Sequence, residues 1–232
     1  VYIDKELSSE RWYQNYIQTY LERDVRQLKQ VDDLQLFRTF VQLCAGRVGQ
    51  LLNLASLGND CGVSDTTARR WISLLEASYI IFLLQPYHKN FNKRITKSPK
   101  LYFVDTGLAC SLLNIPEDSI ADHYLRGGLF ENMMIVDFYK RFYNQGSVPH
   151  LYFWRDQTHE IDLILDRGTS ICPIEIKSGR TISQSFFSNV QYLAQLAALN
   201  PKDNAIIYTG DEHQKRSAGQ VIGWRDIDLI GI

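Results

Sequence analysis

At 232 residues the chain is long enough for one large domain or two small ones, and 45% hydrophobic with 22% charged residues supports a real core. A formal net charge of −1 excludes a protein-wide field that draws in nucleic acid, so any such binding has to come from local patches. The four cysteines are scattered, without a C-x-x-C pair or a histidine at zinc spacing, which excludes a disulfide framework or zinc ribbon and points to reduced thiols in a cytoplasmic protein. The longest apolar run, Tyr79–Leu84, is too short to span a bilayer, so no membrane is expected. The start at Val1, with no leader, suggests a piece of something longer.

From Glu10 to Leu28, residues Tyr13, Tyr16, Ile17, Tyr20, Leu21, Val25 and Leu28 recur three or four apart, which predicts an amphipathic helix with an aromatic stripe. Arg23 and Asp24 on it either face a partner surface or pair along the helix. A second helix carries Phe37, Phe40, Val41 and Cys44 on one face and stops near Gly46. Asn53 then caps a short helix, Gly62 makes a turn, and Ser64 or Asp65 caps the next helix. That helix turns Ala68, Trp71, Ile72, Leu74 and Leu75 inward and Thr66, Thr67, Arg69 and Arg70 outward. This is a helix-turn-helix layout. The strand-like runs YIIFLLQPY and KLYFVDT flank a basic connection, a β-hairpin wing with Lys89, Lys93, Arg94, Lys97 and Lys100 and no carboxylate between Lys89 and Lys100. Such a layout either packs against protein or contacts nucleic acid through Arg69, Arg70, Lys89, Lys93, Arg94 and Lys97.

CSLLNIPEDSI reads as a helix end and a loop broken by Pro116. After Gly127 and Gly128, which read as a tight turn and only weakly as an anion site before a helix, a helix follows with Leu129, Met133, Val136 and Tyr139–Tyr143 as its stripe. HLYFWRD, EIDLILDRG and CPIEIKSG read as three strands, Phe186–Leu199 as a helix, and NAIIYTGD and QVIGWRDIDLI as two further strands. Helix, three strands, helix, strand is an α/β sandwich order with a crossover before the fourth strand.

Alternation places Glu160, Asp162, Ile164 and Asp166 on one face of their strand and Ile161, Leu163 and Leu165 on the other. Glu175 and Lys177 alternate with Ile174 and Ile176. Asp162 and Glu175, on strands joined by a tight turn, can therefore point the same way at similar height. Two readings stand: a cross-strand charge pair with Lys177 worth a few tenths of a kcal/mol, or a divalent-metal site. Two close carboxylates raise one another's pKa unless a cation intervenes, and Mg²⁺ takes oxygen ligands at about 2.1 Å while keeping waters. Glu131 on the upstream helix is a further candidate ligand.

The run Asp162, then Glu175-Ile176-Lys177 after a turn, with Glu131 upstream, resembles the PD-(D/E)xK restriction-endonuclease-like superfamily, although Ile161 stands where its loose motif has proline. YIQTYLERDV, ARRWISLLEASYIIFLLQPY, PKLYFVDTGLACSLL, GGLFENMMI, HEIDLIL and PIEIKSG together resemble a narrower group: bacterial and archaeal AAA-type ATPases whose C-terminal half joins a winged helix to a nuclease-like fold. The resemblance implies an α/β chain in three parts. Residues 1–52 form a helical scaffold and 53–113 a winged helix-turn-helix. Residues 114–232 form a restriction-endonuclease-like α/β sandwich with a mixed central sheet. It also implies catalytic residues Asp162, Glu175, Lys177 and Glu131, with Mg²⁺ or Mn²⁺ held by Asp162, Glu175 and Glu131. DNA or RNA would be the partner. No G-x-x-x-x-G-K-[ST] loop occurs, so ATP would act only through an upstream AAA-type module. The function to expect is phosphodiester hydrolysis coupled to that ATPase, or a non-catalytic nucleic-acid- or protein-binding regulatory module.

Among other residues, His159 reads as a surface group or a base, and Arg155, Lys140 and Arg141 as solvated charges or phosphate contacts. His88, His123, His150 and His213 lack carboxylate or cysteine partners at ligand spacing.

Overall fold

The computed structural model describes residues 8–20, 31, 33–87 and 97–231. The chain divides into two compact units, Val1–Leu83 with Leu101–Leu125 and Leu84–Lys100 with Arg126–Ile232. The segments 1–52 and 53–113 expected from sequence fall in the first unit except for 84–100, and 114–232 falls in the second except for 114–125.

The first unit holds five α-helices among the described residues, α1 (Ser9–Thr19), α2 (Leu34–Ala45), α3 (Leu54–Cys61), α4 (Asp65–Ala77) and α5 (Thr106–Leu112), and a 3-10 helix, Glu117–Asp122. Each α-helix opens on a side chain that accepts an otherwise unpaired backbone N–H: Ser8, Asp33, Asn53, Ser64 and Asp105. α5 begins at the end of the run that reads as a strand, KLYFVDT, where Asp105 caps it, and runs into the stretch that reads as a helix end. Tyr13 of α1 donates to Asp105 Oδ1 at 2.8 Å, tying α1 to the same cap. Of the tyrosine-rich stripe of α1 only Ile17 is buried among the described residues. Trp12, Tyr16 and Tyr20 instead stack along the helix. Leu21, Arg23, Asp24, Val25 and Leu28 lie outside the described residues.

The helix-turn-helix forms as the spacing predicts. Gly62 takes φ 77°, a left-handed conformation that ends α3 at little cost only for glycine. A Cβ on Gly58 would stand 2.9 Å from the Val63 carbonyl oxygen, so the turn closes onto α3 because residue 58 has no side chain. α4 buries Ala68, Trp71, Ile72, Leu74 and Leu75, and Trp71 meets Phe37 and Phe40 of α2 edge-on, each at 5.2 Å. Arg69 and Arg70 are exposed.

The strands are β1 (Ile81–Pro86), β2 (Lys100–Phe103), β3 (Leu151–Arg155), β4 (Glu160–Asp166), β5 (Ile171–Lys177), β6 (Ala205–Tyr208), β7 (Gln214–Arg216) and β8 (Gly219–Gly223), in the order β2-β1-β3-β4-β5-β6-β8-β7. The sheet is mixed. β3, β4 and β5 run as an antiparallel meander, while β5–β6, β6–β8 and β1–β3 are parallel. Of the basic wing, His88, Lys89, Lys93 and Arg94 lie outside the described residues, and Lys97 is exposed. Lys100 departs from the basic-wing reading: at 2% exposure it is a buried residue, not a solvent-facing cation.

In the second unit α6 (Arg126–Asn144) and α7 (Ser188–Leu196) both pack on β5. Every β5 position from Ile171 to Ile176 is buried, which requires cover on both faces of the strand. Gly127 and Gly128 sit inside the first turn of α6 rather than in a turn before it. The buried stripe of α6 is Leu129, Phe130, Met134, Ile135, Val136, Phe138 and Phe142, so Met133 and Tyr139 are half-buried and Tyr143 exposed, one step round the helix from the expected face. The helix expected over Phe186–Leu199 starts as a 3-10 turn, Gln184–Phe187, before α7. Cys44, Cys61 and Cys172 are buried, Cys110 is half-buried, and all are free. No helix among the described residues is long and apolar enough to cross a membrane.

Candidate functional site

β4 and β5 pair from Asp166↔Ile171 to Leu163↔Ile174, and no further pair follows. At the next step the Ile176 N–H, left without a strand partner on this side, donates to Asp162 Oδ2 at 2.8 Å. Asp162 thereby replaces a ladder bond and is held in place by the backbone beside Glu175. Asp162 and Glu175 are 9% and 3% exposed, and a carboxylate so buried costs free energy unless it is paired or hydrogen-bonded.

Glu175 divides its oxygens unequally. Oε1 accepts from Lys177 Nζ at 2.6 Å and from Asn189 Nδ2 of α7 at 3.3 Å. Oε2 is buried with no hydrogen-bond partner among the described residues. An ion pair with Lys177 alone would pull this carboxyl down. Burial, followed by the charge of Asp162, outweighs it and pushes Glu175 up to about 8. Burial also raises Asp162, against Lys100, Lys177 and the Ile176 N–H. For Lys177 burial works downward, yet Asp162 and Glu175 together hold the amine above its usual range.

A second lysine completes the cluster. Lys100 Nζ reaches Glu131 Oε1 at 3.0 Å and also pairs with Glu160, whose other oxygen meets Arg155 at 3.2 Å. Burial disfavours the ammonium, but Glu131, Asp162 and Glu160 overcome it and raise Lys100 above the ordinary lysine range. Two lysines thus stand among four acids: half-buried Lys177 on Glu175, and buried Lys100 between Glu131 and Glu160.

The sequence-expected residues therefore separate. Asp162, Glu175 and Lys177 come together at the end of β5. Glu131 lies close enough to act on Lys177 electrostatically, but its bonded partner is Lys100. Among the described residues no three His, Cys, Asp or Glu side chains gather into a group that could hold a metal ion. The expected three-carboxylate set is thus not assembled, because Lys100 draws Glu131 to itself. Lys100, Glu160 and Asn189 join the cluster without having been singled out for it. The Asp162–Glu175 pair does fit a hard cation: two adjacent buried carboxylates, one with an oxygen unpartnered among the described residues, suit the oxygen-seeking divalent charge that Mg²⁺ or Mn²⁺ supplies.

The remaining candidates are engaged elsewhere. The His159 ring stacks on Tyr192 at 3.7 Å and bonds Thr158. Arg141 pairs with Asp137 at 3.2 Å and with Asp228, while Lys140 is exposed. His213 does have a carboxylate partner, Asp226 at 3.1 Å, which sequence spacing does not reveal.

Two relatives share this chain's sequence: the uncharacterized protein Rv2008c of Mycobacterium tuberculosis and the uncharacterized protein Mb2031c of Mycobacterium bovis. Each is 33% identical over 207 residues, covering 88% of this chain and 45% of the relative. The chain thus spans about half the length of the curated relatives it matches. No solved structure matches it. Residues 126–227 match the family described as Domain of unknown function (DUF4143), a domain often found with AAA-type ATPases. Over residues 1–119, half of its length, the chain belongs to the family described as Domain of unknown function (DUF8612).

Proposed function

We propose that this chain is the DNA-handling part of a longer AAA-ATPase-associated protein, with a nuclease-like domain that hydrolyses phosphodiester bonds. The observation that carries the reading is the buried Oε2 of Glu175, without a partner among the described residues, beside Asp162, with Lys177 on the other oxygen. Asp162 and Glu175 would hold Mg²⁺ or Mn²⁺, which supplies Lewis acidity toward a phosphate oxygen. The Ile176 N–H fixes the Asp162 carboxylate, and Asn189 fixes Glu175. Lys177, a third exposed and bonded to Glu175, is placed both to reach a solvent molecule and to offset negative charge on a phosphate. The order helix, antiparallel meander, helix, parallel strand supports a restriction-endonuclease-like assignment. The helix-turn-helix with exposed Arg69 and Arg70 supports a winged helix that contacts the duplex.

The test is nicking of supercoiled DNA, and of a labelled RNA, with Mg²⁺ or Mn²⁺. Cleavage is expected for the wild type and absent in EDTA, in Glu175→Gln and in Lys177→Ala, with melting curves showing each variant folded. A second reading, a non-catalytic binding module, draws on the internal neutralisation of Glu131 by Lys100 and of Glu175 by Lys177. Metal-independent DNA binding without cleavage, together with no calorimetric heat from either cation, would select it.

A further inference from the structure

A second concavity in the same unit contains none of the clustered acids or their lysines. It encloses about 440 Å³ and is lined by Arg126, Arg180 and Arg225, by Trp224, and by the apolar flank of Phe130 and Met133. A volume of this order holds a ligand the size of one nucleotide. Its single carboxylate, Asp211, is engaged by Arg225 at 2.9 Å, and Arg180 has no ion-pair partner among the described residues. The lining therefore carries an excess of positive charge over an aromatic ring. The Arg225 guanidinium lies 4.3 Å from the Trp224 ring centroid, a cation–π pair that presents a planar surface and an anion-binding fork together. Arg126 opens the 19-residue helix α6, so the positive end of that helix also faces this side. Behind the pocket, Arg126 and Thr209 both donate to the Ser178 carbonyl, at 2.5 and 3.3 Å, and Ser178 directly follows Lys177.

We infer that this pocket binds one nucleotide of a nucleic-acid strand, its phosphate among Arg126, Arg180 and Arg225 and its base against Trp224. Arginine forks suit phosphate, aromatic and guanidinium planes suit any base, and the apolar flank excludes water from the stack. The shared backbone of Ser178 then sets the strand beside the end of β5. Sequence reading misses the pocket because its parts come from four separate segments and Arg126, Arg180 and Arg225 follow no motif.

The experiment uses the whole chain in EDTA, so that its outcome does not depend on metal binding or hydrolysis. Anisotropy of labelled single-stranded oligonucleotides, with and without a 5′-phosphate, is measured against salt in an Arg69→Ala/Arg70→Ala background that silences the helix-turn-helix. Binding is expected, with tryptophan quenching that disappears in Trp224→Phe. Arg180→Ala and Arg225→Ala, both at exposed positions, should each weaken affinity about tenfold and lower the salt slope by about one. Dependence on the 5′-phosphate assigns the pocket to a strand end, and equal binding of both oligonucleotides assigns it to an internal phosphate. Binding of a mononucleotide or inorganic phosphate without the oligonucleotide overturns the strand assignment. Affinity unchanged in both arginine variants overturns the pocket.

Discussion

The Asp162 carboxylate accepts the backbone N–H of Ile176 at the point where the β4–β5 ladder ends. One oxygen of the side chain thus does structural work, and the other is left to act on charge nearby. The two roles can be divided by substitution. Asp162→Asn keeps an acceptor for Ile176 and should melt within about 1 kcal/mol of wild type while losing Mg²⁺ binding. Asp162→Ala leaves a buried N–H unpaired and should cost about 1–3 kcal/mol. Urea denaturation and calorimetric titration of both variants check this. Equal destabilisation by Asn and Ala would show that the Ile176 bond contributes nothing.

Glu175 makes the metal-free protein pH-sensitive. In the folded state burial and Asp162 hold its proton up to about 8, whereas the unfolded chain releases it near the usual value of about 4.3. Below that value both states are protonated and the contribution to stability is complete. As pH rises toward 8 the unfolded state loses its proton first, so stability falls, and beyond 8 it levels off. Asp162, also raised, acts in the same direction. Lys177, held above its usual range, changes nothing in this window. Melting in EDTA between pH 5 and 9 should show a loss on the order of a few kcal/mol in wild type and a much shallower one in Glu175→Gln. Parallel curves for the two proteins would place Glu175 among ordinary carboxylates.

The helix-turn-helix was legible because its signals are local: Asn53 and Ser64 cap, Gly62 turns left-handed, and Trp71 falls on the apolar stripe. Asp162, Glu175 and Lys177 were legible because strand alternation alone sets which neighbours they share. Lys100 was not. A lysine beside a basic run looks solvated, and its burial is decided by Glu131 and Glu160, on α6 and β4, which spacing does not bring to it. β7 was missed for another reason: Gln214–Arg216 is a polar edge strand without the alternation that marks one, existing through its pairing with β8.

The two glycines of the helix-turn-helix should respond differently to alanine. Gly62→Ala meets nothing within 4 Å and is strained only by its φ of 77°, so about 1 kcal/mol is expected. Gly58→Ala drives a Cβ against the Val63 carbonyl and should cost about 1–3 kcal/mol as the turn is forced from α3. Arg69→Ala/Arg70→Ala, by contrast, removes only exposed groups and a 3.8 Å Arg69–Asp65 pair, and should leave stability within about 0.5 kcal/mol. If this face contacts duplex DNA, the same variant lowers the salt slope of duplex binding by about two. An unchanged slope would assign the helix pair to protein packing.

Lys100 is the buried counter-ion of the cluster. Its side chain is 3% exposed, against 33% for Lys177. Lys100→Met keeps volume but takes the ammonium from Glu131 and Glu160; Glu160 keeps Arg155 at 3.2 Å, and the two carboxylates, 17% and 29% exposed, recover part of their hydration. The expected loss is about 3 kcal/mol, the low end for breaking a buried pair. Lys177→Met leaves Glu175 free to remain protonated and should cost about 1 kcal/mol or less. If the Lys100 penalty comes from uncompensated charge rather than packing, Lys100→Met/Glu131→Gln should be more stable than the sum of its single variants predicts, by about 1 kcal/mol or more. Urea midpoints for the three proteins measure that coupling. Strict additivity would mean that Lys100 stabilises through the fit of its stem, including its contact 5.6 Å from the Phe153 ring, and not through its charge.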